Sequence, residues 1–219
     1  MLALPDVKQN PVFEAFITQA DAHLAAIGYT EHGHRHCGLV SSIARNILTR
    51  LGCDPRHAEL AAIAGYIHDI GNVATRNNHG QVGATLATGL LLQMGMDPME
   101  VAMVVGAIGN HEEQHGDPVN EVSAAVILAD KSDVHRSRVR NLDLATFDIH
   151  DRVNYAVVHS FLRVDEDART ITLELTIENE ICPVIEYFEI FLVRMVMCRR
   201  AAAFLNASFK IHINGAKIL

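Results

Sequence analysis

No apolar run in this chain approaches the roughly 20 residues needed to cross a bilayer, so no membrane span is expected. The N-terminus, MLALPDVKQNP, lacks a basic stretch followed by a long apolar one. It does not read as a signal peptide, and the expected location is the cytoplasm. Paired cysteines are missing as well. Cys37, Cys53, Cys182 and Cys198 are scattered without a CxxC, which excludes zinc-finger spacing and points to reduced thiols. Positive charge is in short supply: 18 Lys and Arg face 26 Asp and Glu, a net charge of -8. That balance opposes non-specific binding to nucleic acid, which needs a basic surface. It leaves room for a small anionic substrate held by a few local cations. Repeats and low-complexity linkers are absent too.

What is present reads first as helices. Asn10-Pro11, Asp54-Pro55 and Asp97-Pro98 each set a capping side chain before a proline at the first helical position. Phe13, Phe16, Ile17, Ala20 and Leu24 recur at helical spacing behind the first of these. A second helix is expected from about His36 to near Gly52, and a third through Leu60, Ala64 and Ile67, with Gly71 as its stop. The fourth follows His79, the fifth carries Val101 to Ile108, and the sixth runs from near Asn120 into a charged end. After about residue 155 the period changes to two. Ile171, Leu173, Leu175 and Ile177 alternate with polar residues, and AVVHSFLRV and DEDA before them complete a hairpin. A long amphipathic helix carrying Val184, Phe188, Phe191, Leu192 and Met195 follows, then a short strand, FKIHI. The reading is mostly α: a helical domain over 1–150 and a β-β-α-β appendage over 151–219. A lone hairpin is marginal in water, so the appendage is expected to pack on the helical domain or on a second copy in a homodimer.

Histidine is the outlier, with thirteen in 219 residues. His36 shares a helical row with Val40, Ile43 and Ile47; His68 shares one with Ala61 and Ala64, and Asp69 follows it at once. A charge at the buried end of an apolar helix is costly unless it is paired or bound to a metal. The pattern recurs at His79 before the fourth helix, His111 after the fifth and Asp130 at the end of the sixth. Six nitrogen and oxygen donors at helix ends, where side chains from different helices converge, point to a metal site.

His36, the His68-Asp69 pair in IHDIGN, and Asp130 in ILADK resemble the H…HD…D signature of HD-domain phosphohydrolases, over roughly residues 30–140. The resemblance implies an HD-domain helical bundle with a metal held by His36, His68, Asp69 and Asp130. His79 in HGQVGA and His111 in AIGNHEE are similar to the extra ligands of subgroups that hold two metals. There Asp69 would bridge the ions, and one or two divalent ions of Fe, Mn, Zn, Co or Ni suit such donors. The implied activity is hydrolysis of a phosphoester or phosphoanhydride in a small nucleotide-like substrate by metal-activated water, with Asp69 at its centre. Lys131 and Arg138 are expected to hold phosphoryl oxygens, Arg138 from two turns along a continuing helix. Glu112 and Asp133 are placed to orient the histidines. His32 and His34 are expected to line the mouth or the surface.

The chain also departs from that pattern. Asn72 stands where many relatives have HDIGK, which removes a cation near the metals. The tyrosine of the cyclic-dinucleotide subgroups' GYP element is missing from NHEEQHGDP, and the overall series is closer to symmetrical dinucleoside-tetraphosphate hydrolases. A different class of function fits the same residues: a non-catalytic sensor that binds metal and nucleotide and signals through the tail.

Overall fold

A computed structural model of the chain describes residues 1–141 and 143–219. A short α1 (Leu4–Lys8) leads into α2 (Pro11–Ala26), α3 (His34–Arg50), α4 (Pro55–Ile67), α5 (His79–Gln93), α6 (Pro98–Gly109) and α7 (Glu121–Ser132). The three Asx-Pro boundaries start helices as the sequence predicts. Asn10 accepts hydrogen bonds from the amides of Val12 and Phe13, Asp54 from Arg56, and Asp97 from Met99 and Glu100. Asn120 caps α7 through the Ser123 amide. These bonds occupy N–H groups that a helix cannot satisfy internally.

Two of the helices are apolar all round, which is the mark of a buried position. In α4 every residue from Leu60 to Ile67 is buried, and in α7 every residue from Val122 to Ala129. Each large aliphatic side chain so placed contributes about 1.5–3 kcal/mol. The remaining helices surround this pair: α3 packs on both, α6 packs on both, and α5 leans on α6. The C-terminal ends of α4 and α7 therefore open inside the bundle, where polar side chains following them have no water to face.

Gly71 does not end α4 in the left-handed conformation expected of a stop glycine. The helix closes at His68, and Gly71 lies within a 3-10 turn, Ile70–Val73, without a positive φ. What requires glycine there is proximity. A Cβ on Gly71 would lie 1.9 Å from the carbonyl oxygen of His79 and 2.5 Å from the amide nitrogen of Gly83.

The period change after residue 155 coincides with the start of the strands, which follow a further helix, α8 (Ile149–Ala156). The strands β1 (Val157–Asp165) and β2 (Thr170–Ile177) pair antiparallel, with Leu162 opposite Leu173. α9 (Val184–Phe204) then crosses over to β3 (Ser208–Ile213), which pairs parallel with β2, and a two-residue β4 (Ala216–Lys217) finishes the sheet in the order β1-β2-β3-β4. α9 buries Tyr187, Phe191, Met195 and Cys198, and packs on α7 as well as on β3. Leu192, grouped with them by spacing, faces outward. The four cysteines are free thiols, and no described helix is long and apolar enough to cross a membrane.

Candidate metal centre

Five helix ends meet at one point. His36 lies in the first turn of α3, His68 closes α4 and Asp69 follows it, His79 opens α5, His111 comes just after α6, and Asp130 sits in the last turn of α7. Three of these ends are C-terminal, where unpaired carbonyls carry partial negative charge and favour a cation. His36, His68, Asp69, His79 and His111 are all buried, and Asp130 is largely so.

Each imidazole is held by its Nδ1. His68 contacts the Gly65 carbonyl at 2.9 Å, His111 the Ile108 carbonyl at 2.7 Å and His79 the Arg76 carbonyl at 3.0 Å. A carbonyl oxygen only accepts, so in these three rings Nδ1 carries the hydrogen. The fourth ring, His36, places Nδ1 2.7 Å from Asp133 Oδ2, a carboxylate that likewise accepts. Glu112 supports His79, with Oε2 3.4 Å from Nδ1 while Oε1 accepts from the Gly80 amide. The orienting roles expected of Asp133 and Glu112 thus match their positions.

With Nδ1 protonated, a neutral imidazole has a bare lone pair at Nε2. The four Nε2 atoms face one another in two pairs. His36 and His68 stand 3.3 Å apart, and His79 and His111 stand 3.0 Å apart. Two lone pairs at such distances repel, so each pair must share either a proton or a metal cation. Asp69 serves both pairs with different oxygens. Its Oδ2 is 3.7 Å from His36 Nε2 and 3.4 Å from His68 Nε2; its Oδ1 is 3.1 Å from His79 Nε2 and 3.6 Å from His111 Nε2. Asp130 Oδ1 completes the first group, 3.3 Å from His36 Nε2 and 3.6 Å from His68 Nε2. Two groups lie close enough to share a metal ion, His36 with His68 and Asp130, and His68 with Asp69 and His111, and the donor set of imidazoles and carboxylates fits a divalent transition metal.

The electrostatics favour positive charge at the same place. Burial alone would push Asp69 up and His68 down. Instead the opposite charges prevail: His68, helped by His111 and His79, holds Asp69 well below the usual carboxylate range. Against its own burial, His68 is pushed up to about 10 by Asp69 and Asp130. His79, also opposed by burial, rises to about 8 through hydrogen bonds to Asp69 and Glu112. Asp130 lies well below its ordinary range despite burial, chiefly through the Lys131 charge.

The two predicted phosphoryl-holding cations reach the rim of this cluster differently. Lys131 is buried, with Nζ 2.6 Å from Asp130 Oδ2 and 3.0 Å from Glu113 Oε1. Arg138 does not sit on a continuing helix, because α7 ends at Ser132 and Arg138 belongs to a separate 3-10 turn. Its guanidinium donates to the Asp133 carbonyl at 2.7 Å and to the Glu31 carbonyl at 3.1 and 3.0 Å. Arg138 therefore ties the approach to α3 to the exit of α7 and steadies the carboxylate that orients His36. Arg138→Ala is expected to cost about 3 kcal/mol of stability, seen as a lower urea midpoint, because it strips several charge-assisted bonds from buried partners. Arg138→Lys should not restore it, since one ammonium cannot reproduce the planar fork. A midpoint equal to wild type would contradict this role.

Two nearby residues escaped the sequence reading. Arg76 brings Nη1 to 3.3 Å from Asn72 Oδ1 and 3.5 Å from His79 Nε2, so the cation that Asn72 removes is replaced from one turn further on. Asn72 itself donates to Asp69 Oδ1 at 3.0 Å. Arg194 arrives from α9, its Nε 2.7 Å from Glu113 Oε1. A lone arginine inside FLVRMVMC was a legible signal of a charge directed into a buried face. His32, expected at the mouth or the surface, lines the opening of the cluster, while His34 lies outside against Glu14.

Residues 33–143 match the HD domain family. Among solved structures, a predicted HD superfamily hydrolase from an uncultured Thermotogales bacterium is 28% identical, covering 57% of this chain and 68% of its own, with a TM-score of 0.46. No curated protein matches the chain.

Proposed function

The chain belongs to the HD domain family, whose members are generally metal-dependent hydrolases, and from that premise we propose that it hydrolyses a phosphoester or phosphoanhydride bond in a small nucleotide-like substrate. The observation that carries the reading is the pairing of Nε2 atoms across Asp69, one carboxylate oxygen turned to each pair. His36, His68, Asp130 and Asp69 Oδ2 would hold one ion, and His79, His111 and Asp69 Oδ1 a second. Bound divalent ions lower the pKa of water and neutralise phosphoryl oxygens. The protein's share is orientation and charge. Asp133, Glu112 and three backbone carbonyls fix the imidazoles, and Lys131 and Arg76 set positive charge at the rim where phosphoryl oxygens would arrive.

Metal content by elemental analysis, paired with phosphate release from a nucleotide panel in Mn or Fe, tests this with His68→Ala as the control. Bound metal with release that vanishes in the variant is expected. Metal without turnover of any substrate would transfer the site to the sensor reading, and no metal after reconstitution would overturn both.

Metal binding should also depend steeply on pH. In the metal-free protein His68, at about 10, and His79, at about 8, hold protons at neutral pH. An incoming ion must displace them, so affinity rises with pH, by up to about tenfold per unit for each proton. The rise is steepest below about 8, where both protons are still bound. For the metal-free fold the sign is opposite. Both groups are raised above the ordinary 6.5, so their stabilisation is complete below 6.5 and is lost as pH climbs through about 8 and then 10. Calorimetry of Mn binding at pH 7 in buffers of different ionisation enthalpy should show release of about two protons. Release of none would contradict the linkage.

A further inference from the structure

A chamber of about 370 Å³ lies beside the cluster, and His32, Arg76, Arg138 and Arg194 line both the chamber and the opening to the metal-binding donors. The two spaces thus meet at a collar that is mostly guanidinium. Arg138 spends its fork on backbone carbonyls. Arg194 Nε lies 2.7 Å from Glu113 Oε1, its Nη1 and Nη2 make no hydrogen bond to protein among the described residues, and its guanidinium rests over the Phe191 ring at 4.5 Å. Arg76 lies over the Tyr29 ring at 5.1 Å, and Tyr29 is 41% exposed. On the far wall the sign reverses. Asp148 and Asp151 stand at the start of α8, where Asp148 Oδ1 accepts from the Asp151 amide, Asn141 Nδ2 lies 3.5 Å from Asp151 Oδ2, and neither carboxylate forms an ion pair among the described residues.

We propose that this chamber seats the organic body of the substrate, and that it takes a phosphomonoester carrying one hydroxyl-rich, ring-bearing group, the size of a single nucleoside. The proposal rests on the hydrolase reading above and narrows it. The phosphate lies at the collar, where Arg76 and Arg194 donate to its oxygens next to the metal-binding donors. The ring lies along the exposed face of Tyr29, and the hydroxyls donate to Asp148 and Asp151. Size and charge exclude the dinucleotide alternative together. The volume is near the lower limit of small-molecule sites, which run from roughly 300 to 1,000 Å³, and a polyphosphate running into the chamber would meet carboxylates at its far end. Arg194 and the α8 wall lie outside residues 33–143, the segment matching the HD family. Residues beyond the family-matched segment therefore help determine what the metal centre acts upon.

Kinetics of the full-length, Mn-loaded protein on AMP, diadenosine tetraphosphate and p-nitrophenyl phosphate test the assignment, together with calorimetry of AMP binding to the metal-free protein. AMP should exceed diadenosine tetraphosphate in kcat/KM by about tenfold or more, and Arg194→Gln should weaken AMP binding by about tenfold, with partial rescue by Arg194→Lys. In Asp151→Asn the ratio of kcat/KM for AMP over p-nitrophenyl phosphate should fall by about tenfold. An unchanged ratio, or preference for diadenosine tetraphosphate, would overturn the chamber assignment. The two readings fail separately. Hydrolysis of p-nitrophenyl phosphate with AMP neither bound nor cleaved would sink the chamber and leave the hydrolase. AMP binding that Arg194→Gln weakens, with no phosphate released from any substrate, would sink the hydrolase and leave the chamber.

Discussion

Asp69→Asn is expected to empty both halves of the metal centre at once and to lower phosphate release by about a thousandfold or more. The prediction follows from the two-sided position of one carboxylate, Oδ2 toward His36 and His68 and Oδ1 toward His79 and His111. Asparagine keeps the shape but removes the charge, and it turns an amide nitrogen toward one imidazole pair or the other. A cation between either pair loses its shared anion. Metal ions contribute several kcal/mol of transition-state stabilisation, and each 1.36 kcal/mol is tenfold in rate, which sets the size of the loss. His36→Ala, by contrast, removes a donor from one pair only and should leave an ion between His79 and His111. Metal-to-protein ratios for the two variants, measured beside kcat, separate a bridging carboxylate from an ordinary ligand. An Asp69→Asn protein that retained its full metal content would show that the two halves are independent.

The placement of Asp69 between the two imidazole pairs was legible in the sequence only through resemblance, whereas the donors themselves stood out from the residues alone. The reason is locality. His36, His68, His79, His111 and Asp130 each lie beside a helix end marked by a proline, a glycine or an Asx cap, and such signals act over three or four residues. The orienting partners are a mixed case. The Nδ1 contacts of His68, His79 and His111 go to carbonyls three residues back, but that of His36 goes to Asp133, 97 residues away. Nothing in a local pattern encodes such a pairing. Arg138 shows the same limit from the other side. Extending α7 by two turns put its side chain near Asp130, yet the helix stops at Ser132 and the arginine returns through a turn to bind Glu31. Arg194 stood out as a lone charge in an apolar run, but the site it reaches depends on how α9 packs on α7. The fold class and the order of elements, which rest on periodicity and caps, were readable almost throughout; the short α1, α8 and β4 carry too few residues for a period to show.

Gly71→Ala is expected to destabilise the protein by about 3 kcal/mol or more and to unload the His79 side of the metal centre selectively. An added methyl would lie 1.9 Å from the His79 carbonyl oxygen and 2.5 Å from the Gly83 amide nitrogen. Both are backbone atoms, so no rotamer change relieves the overlap, and α5 must move as a body. Overpacking of this kind costs 1–3 kcal/mol when side chains can adjust, and here they cannot. Against the roughly 5–15 kcal/mol that holds a typical domain together, such a loss is plain in a thermal or urea melt. The displacement carries His79 away from Asp69 Oδ1 and His111, while His36, His68 and Asp130 belong to helices that do not shift. Metal held on the His79 side should therefore be lost as stability falls, read as a lower metal-to-protein ratio than in wild type. Gly89, on the same helix, is the comparison: a Cβ there meets nothing within 4 Å. Gly89→Ala should stabilise the protein by about 0.5–1 kcal/mol, because alanine is the better helix former and restricts the unfolded chain. If Gly71→Ala melted like wild type with both ions in place, the turn after His68 would be looser than drawn, and the close seating of α5 that positions His79 would have to be abandoned.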